Sequence, residues 1–322
     1  MKKIIISMAA CGVLALGISA CGGDDDDSGG SSNASSSGDL SGTIRVDGSS
    51  TVGPLTEALA EAFQAENPNV KVTVGTSGTG GGFEKFCAGE TDISDASRPI
   101  KPDEEVPICK KNGVKYQDLH VATDALTVVV NPENPVDCMT VDQLKAVWEP
   151  SSKLSNWSEI PDLKPSFDAK LALFGPGTTS GTFDYFTDAI NGEEGASRTQ
   201  YNNVGEDDNA TVNGVAGDKG GLGYFGYSFY KENQDKLKAL KIDGGKGCVG
   251  PSKETAQSGE YAPLSRPLFV YPSAKALKRP EVDSFLEYYL DNTAKAADSG
   301  GFIPLTDQQE QQSKDKLSQL VG

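Results

Sequence analysis

Residues 47–54, Asp47-Gly48-Ser49-Ser50-Thr51-Val52-Gly53-Pro54, separate two segments of different periodicity, and that junction decides the fold. Before it, 43–47 reads as a short strand; after it, 54–66 places Leu55, Ala58, Leu59, Ala62 and Phe63 on one helical face. Pro54 suits the first turn of that helix, where its missing N–H costs no hydrogen bond. Val70, Val72 and Val74 alternate again, which predicts a second strand and completes a β-α-β unit. Outward from there the same criteria predict a helix over 83–88, a short strand at Ile93 and a buried strand over 126–130. A helix over 141–148, a strand over 171–174, a helix over 183–190 and an aromatic strand over 223–230 follow. A strand over 267–271 and helices over 282–290 and 308–320 end the chain, so the class is α/β.

The opening junction recurs. Residues 75–83, Gly-Thr-Ser-Gly-Thr-Gly-Gly-Gly-Phe, follow the strand ending at Val74, and 175–183, Gly-Pro-Gly-Thr-Thr-Ser-Gly-Thr-Phe, follow Phe174. Each is a strand, a Gly/Ser/Thr turn and a helix start. Glycine lets backbone approach closely, the first-turn N–H groups of a helix have no intrahelical partner, and hydroxyls add donors. Such a corner suits an oxyanion. A fourth stretch, 91–100, sets Asp95 three residues from Arg98. Arginine can clamp an oxyanion with its planar fork. A carboxylate would repel one, by about 4 kcal/mol for unit charges ~4 Å apart at an effective dielectric of ~20. Asp95 fits if the ligand carries a proton that it can accept in a charge-assisted hydrogen bond; phosphate has one at neutral pH and sulfate does not.

Composition narrows the field. The 322 residues include 29 Lys+Arg, 46 Asp+Glu and a single histidine, for a net charge of −17. That acidity argues against a nucleic-acid partner. One histidine, His120, leaves little for a His-based catalytic pair or a multi-histidine metal site, so neither an enzyme, a cofactor nor a metal is expected. At the N-terminus, Lys2 and Lys3 precede the apolar run 4–18, and Ile18-Ser19-Ala20-Cys21 resembles the lipobox of bacterial lipoproteins. This predicts a signal peptide over 1–20, lipid on Cys21, and a solvated Asp/Gly/Ser tether over 21–42. Removal of residues 1–20 takes Lys2 and Lys3 with it and brings the charge from −17 to −19. Cys87, Cys109, Cys138 and Cys248 remain, an even number that outside the cytoplasm suggests two disulfides. Three connectivities are open. Cys87 with Cys109 and Cys138 with Cys248 is favoured, because the first two bracket one compact segment.

The order of these motifs, 47–51, 75–83, Ser94 to Ile100, 175–186 and the Gly-Leu-Gly-Tyr-Phe-Gly-Tyr of 221–227, resembles the phosphate-binding proteins of Pst-type ABC importers over about 43–322. The resemblance implies a two-lobed periplasmic-binding-protein fold of type II, two α/β lobes joined by two crossover strands with the ligand cleft between them. Lobe I is then 43–125 plus 263–322, and lobe II 126–262. It implies a lipid-anchored extracytoplasmic receptor, acting as a monomer, that captures inorganic phosphate and delivers it to membrane permease subunits. Matched position by position, Thr51 and the Val52 N–H are first-loop ligands, Thr79 with Ser77 nearby are second-loop ligands, and Asp95 is the proton acceptor. Ser180, the Gly181 N–H and Thr182 are the ligands of the other lobe. Several family members carry an arginine four residues before that serine. Here the position is Pro176, and Arg98 is the expected replacement. Ser50, Thr179, Asn209 and Asn213 are further candidates for the cleft lining. A receptor or sensor for another tetrahedral oxyanion, an extracellular phosphatase and an adhesion protein are the alternatives.

Overall fold

The computed structural model describes residues 40–321. The predicted signal peptide, the lipidation site Cys21 and nearly all of the tether lie outside them. β1 (Gly42–Gly48), α1 (Gly53–Glu66) and β2 (Val70–Gly75) form the opening unit, with β1 and β2 parallel and Ile44 opposite Val72. α1 buries Leu55, Leu59 and Phe63, each stabilising the core by roughly 1.5–3 kcal/mol. α2 (Gly78–Ala88), β3 (Ile93–Ala96), α3 (Glu105–Lys111) and the long strand β4 (Leu119–Val130) follow. Next come β5 (Cys138–Thr140), α4 (Val141–Trp148), β6 (Ala172–Gly175), α5 (Gly181–Phe186), β7 (Asn202–Asn203) and α6 (Asp208–Gly217). β8 (Gly221–Gly226), α7 (Tyr227–Asn233), β9 (Lys238–Ala239), β10 (Lys241–Asp243), β11 (Cys248–Val249) and α8 (Lys253–Gln257) lead to β12 (Ser265–Pro272). α9 (Pro280–Ser299) and α10 (Asp307–Val321) close the fold.

The larger sheet runs β2-β1-β3-β12-β4-β8-β6-β7, and β5, β10 and β11 form a second, three-stranded sheet. β4 serves two sets of neighbours. Leu119 to Ala125 pair antiparallel with β12, whereas Leu126 to Val130 pair antiparallel with β8. The two largest apolar clusters part at the same place, one drawing on residues from Ile44 to Ala122 and from Leu268 to Leu317, the other on residues from Leu126 to Leu264, while a small cluster of Ala125, Ala256 and Ile303 bridges them. The chain therefore passes between the two packed halves at Ala125–Leu126 and again just before β12, where the Leu126 N–H donates to the Leu264 carbonyl at 2.9 Å.

Several elements depart from their sequence-based bounds; α9, for example, runs over Pro280–Ser299 where 282–290 is expected. α2 starts at Gly78, five residues before the predicted start at 83, and includes the glycine run. Glycine disfavours a helix, but a Cβ on Gly82 would stand 2.4 Å from the Gly48 Cα, so the close approach of α2 to β1 requires it. The aromatic strand predicted over 223–230 stops at Gly226 and turns into α7, because its partner β4 begins the β8 pairing at Leu126, opposite Gly226. β4 begins at Leu119 rather than 126; His120, Thr123 and Asp124 interrupt the apolar run that marks a buried strand. The helix α3 carries no strong periodic signal. Both favoured disulfides are present, Cys87–Cys109 joining α2 to α3 and Cys138–Cys248 joining β5 to β11. No described helix is long and apolar enough to cross a membrane.

Candidate functional site

The first loop folds back over β3. The Ser49 N–H donates to the Asp95 carbonyl at 2.9 Å, and Gly48 pairs with Asp95 in the sheet. Ser49, 2% exposed, turns its hydroxyl onto the loop's own amides, accepting from the Thr51 N–H at 3.2 Å and the Val52 N–H at 3.4 Å. The Val52 N–H, a sequence-derived phosphate ligand, is thus already capped from within the loop, though by a long hydrogen bond. Ser49 escaped sequence reasoning because a Ser-Ser-Thr run does not say which hydroxyl turns inward. The Thr51 hydroxyl accepts from Arg266 Nη2 at 2.9 Å.

Behind this loop lies Asp95, with no solvent exposure and neither carboxyl oxygen hydrogen-bonded among the described residues. It does not line a cavity wall itself; Ser49, Ser50 and Thr51, which cover it, do. Burial pushes its pKa up to about 8, opposed by the neighbouring Thr56 hydroxyl and reinforced by Asp47 and Glu57. That hydroxyl is held by the Tyr289 phenol at 3.1 Å. A carboxyl in this setting is mainly protonated at neutral pH.

The second loop is tied down from two sides. Asp47, at the end of β1, accepts from both the N–H and the hydroxyl of Ser77 and from Lys85 Nζ at 2.6 Å. Burial raises the Asp47 pKa, but the hydrogen bonds from Lys85 and Ser77 leave it below the ordinary value. The Ser77 hydroxyl expected to meet a ligand is therefore committed to fixing the loop. Thr79 does face the cavity, and its hydroxyl lies 3.1 Å from that of Ser97, whose N–H donates to it at 3.2 Å.

Arg98 lines the cavity, but its fork grips Glu105, Nη2 to Oε1 at 2.6 Å and Nη1 to Oε2 at 3.0 Å. That bidentate hydrogen bonding raises the guanidinium pKa against burial. The sequence expectation that Arg98 replaces the family arginine meets a cation already neutralised. Sequence reasoning missed a second arginine here, Arg266 at the start of β12. Its guanidinium donates through Nε and Nη2 to Asp124 Oδ2, both at 3.2 Å, and covers the Tyr185 ring at 3.6 Å from the centroid. The available clue was Asp124, a charge inside a buried strand that requires a partner.

On the opposite wall, the 175–182 loop is shaped by backbone bonds, Gly177 N–H to the Gly205 carbonyl at 2.9 Å and Ser180 N–H to the Gly177 carbonyl at 3.1 Å. Ser180 precedes α5 without capping it, and neither its hydroxyl nor that of Thr182 bonds to a described residue. The two walls meet at Gly181, where a Cβ would stand 3.2 Å from Thr51 Oγ1 and 3.8 Å from Ser50 Oγ. A cavity of about 640 Å³ lies on one side of this contact, lined by Thr51, Thr79, Arg98, Gly181, Tyr185 and Arg266. A groove of about 860 Å³ on the other side takes in Ser50, Ser180, Thr182 and Asp208. Thr179 is exposed and donates to Glu206 at 3.3 Å. Asn209 and Asn213 are exposed on α6 and line neither space, a correction to the sequence reading: the helix start turns Asp208 toward the groove instead.

His120 Nε2 lies 2.9 Å from the Ala122 carbonyl, and burial lowers its pKa to about 4. No cluster of His, Cys, Asp and Glu suited to a metal occurs among the described residues. Tyr224 is core, stacked on Phe186 at 3.7 Å.

Fold and cleft together define a two-lobed α/β substrate-binding protein. A PBP superfamily domain model matches residues 33–293. Protein SphX of Synechococcus elongatus is 48% identical over 265 residues, covering 81% of this chain and 77% of that protein. The phosphate-binding protein PstS of Staphylococcus saprophyticus is 41% identical over 321 residues, covering 97% and 94%. A crystal structure described as a possible phosphate-binding protein from Planctomyces limnophilus superposes with a TM-score of 0.83 at 47% identity, covering 88% of this chain and all of the other. The chain belongs to the PstS family of phosphate-binding proteins.

Proposed function

We propose that this protein captures inorganic phosphate between its two lobes and presents it to the permease of an ABC importer. The observation that carries the reading is Asp95. A fully buried carboxyl with no hydrogen-bond partner is costly, and a fold retains one where a ligand satisfies it. It stands directly behind a loop of hydroxyls and amides, so a ligand that enters past Thr51 and displaces part of that loop shares one proton with it. Thr51 and Thr79 on one wall, and Ser180, Thr182 and the Gly181 N–H on the other, supply the remaining donors. Several charge-assisted hydrogen bonds of roughly 1.5–3 kcal/mol each suffice for micromolar binding, which needs about 8 kcal/mol. The halves 43–125 plus 263–322 and 126–262 close on each other, hinged at the two crossings beside β4 and β12. Lipid on Cys21 holds the receptor outside the cytoplasm near its permease. Two disulfides suit an oxidising compartment.

Calorimetry on protein unfolded and refolded to strip bound ligand tests this. Above pH 8, where Asp95 is ionised, saturable binding of one phosphate per chain with sulfate at least about a hundredfold weaker is expected from the loss of one charge-assisted hydrogen bond. Equal binding of the two anions, or binding of neither, would overturn it. Release of the protein from membranes by Cys21→Ser tests the anchor.

A further inference from the structure

We infer that Arg266, and not Arg98, is the cation that holds the anion in this cleft, an inference that rests on the phosphate reading above. Three cationic side chains line the inner cavity: Arg98, Lys101 and Arg266. Arg98 spends both arms of its fork on the two oxygens of Glu105, and Lys101 is paired with Glu104 at 2.9 Å. Arg266 is different. It pairs with Asp124 through one carboxylate oxygen only, and its Nη1 has no hydrogen-bond partner among the described residues. One N–H edge of the fork therefore remains available at the cavity.

Its location is as specific as its pairing. Arg266 stands opposite Asp124 in the β12–β4 ladder, beside the place where the chain crosses between the two halves. Nη2 reaches Thr51 on one wall. The guanidinium face lies on Tyr185, which belongs to the helix started by Gly181 and Thr182 on the other wall. The Tyr185 hydroxyl donates to the Pro263 carbonyl at 2.9 Å, which keeps the ring in place. An anion in the inner cavity beside Thr51 and Gly181 thus lies within the reach of a planar fork whose orientation is fixed by Asp124 and Tyr185. Tetrahedral oxyanions accept such a fork in parallel hydrogen bonds that a lysine ammonium cannot reproduce. A cation from the crossover strand touches both walls at once, so it favours the closed arrangement as well as the charge. It also answers the sequence problem posed by Pro176: the cation reaches the anion from 90 positions further along the chain.

The test is phosphate calorimetry on the full folded chain and on Arg266→Met, Arg266→Lys and Arg98→Met, each with its melting temperature. If wild-type protein takes up no phosphate, the functional reading itself fails and this inference with it. Given wild-type binding, Arg266→Met is expected to weaken phosphate by about 30- to 100-fold and Arg266→Lys by about tenfold, because charge without the fork recovers only part. Arg98→Met is expected to stay within about threefold. Arg266→Lys keeps the charge beside Asp124 and serves as the readout if the methionine variant does not fold. Arg266→Lys or Arg266→Met binding phosphate as wild type does, or a greater loss for Arg98→Met than for Arg266→Met, overturns the assignment.

Discussion

The two walls of the cleft carry the same vocabulary of glycine, serine and threonine, yet they use it in opposite ways. In the 48–53 loop almost every polar group is already engaged: Ser49 caps the amides of Thr51 and Val52, and Thr51 receives Arg266. In the 177–182 loop the hydroxyls of Ser180 and Thr182 have no partner among the described residues. The first wall is preorganised and carries the buried acid; the second carries uncommitted donors. Preorganisation lowers the ordering cost of binding, whereas free donors contribute new bonds when the walls come together. A phosphate loses most when the acid behind the first wall changes, less when a free donor is removed from the second, and least when a group that only shapes a loop is lost.

The largest expected effect follows Asp95→Asn. Above pH 8 phosphate affinity should fall by roughly a hundredfold, and most of the preference over sulfate should go with it, since an amide oxygen accepts the ligand's proton without charge assistance and its N–H group can donate to sulfate instead. Stability should move the other way. The folded-state pKa of about 8 lies above the ordinary 3.8, so the folded protein keeps a proton that the unfolded chain releases, and stability falls as pH rises from about 4 towards 8. The asparagine variant escapes that loss, and its melting temperature at pH 8 should exceed that of wild type by a few degrees. A variant that binds phosphate normally, or melts lower at pH 8, breaks the assignment of the acid to the first wall.

The same titration sets a pH dependence for the wild-type protein. Below about 8 the protonated carboxyl can donate to sulfate as well; above it, only a ligand bringing its own proton is accepted. Competition titrations from pH 5 to 9 should show the preference for phosphate widening, by about tenfold or more. A flat ratio would remove Asp95 from the recognition step.

On the second wall, Ser180→Ala should cost about tenfold in phosphate affinity, measured by calorimetry, with little change in melting temperature. Gly181→Ala should cost a similar amount for a steric reason, since its methyl would crowd Thr51 at 3.2 Å and hold the walls apart. If Ser180→Ala destabilises the fold as much as it weakens binding, its hydroxyl is structural and the contrast between the walls fails. Ser49→Ala should cost only about threefold in affinity but about 1 kcal/mol in stability, since it removes the hydroxyl that holds the turn before α1 and no ligand contact. Asn209→Ala and Asn213→Ala should change nothing, as both are exposed on α6 away from the cavity.

Local periodicity made much of the fold legible. Residues 43–74 show their β-α-β unit because Leu55, Leu59 and Phe63 recur at helical spacing and the valines at strand spacing, and that order survives in β1, α1 and β2. The start of α2 and the end of the aromatic strand were not legible. In both cases a distant neighbour, Gly48 against Gly82 and β4 against β8, overrides propensity. The site divides in the same way. Thr51, Thr79, Ser180 and Gly181 stand where strand–turn–helix corners put them, and all of them face the cavity or groove. Ser77 and Arg98 sit in equally suggestive stretches, but Asp47 and Glu105 claim their polar groups.

By itself, then, the sequence determined the α/β alternation, the three glycine-rich corners, the acid in the third strand and the family. Those depend on interactions among residues a few positions apart, which a linear pattern records. Only the tertiary structure decided which donors are free and which cation is available. Arg266 meets Asp124 from 142 positions away and Thr51 from 215, and neither distance leaves a trace in local spacing. A hydrogen bond commits a polar group to one partner, and that commitment is settled only when strands distant in sequence lie side by side.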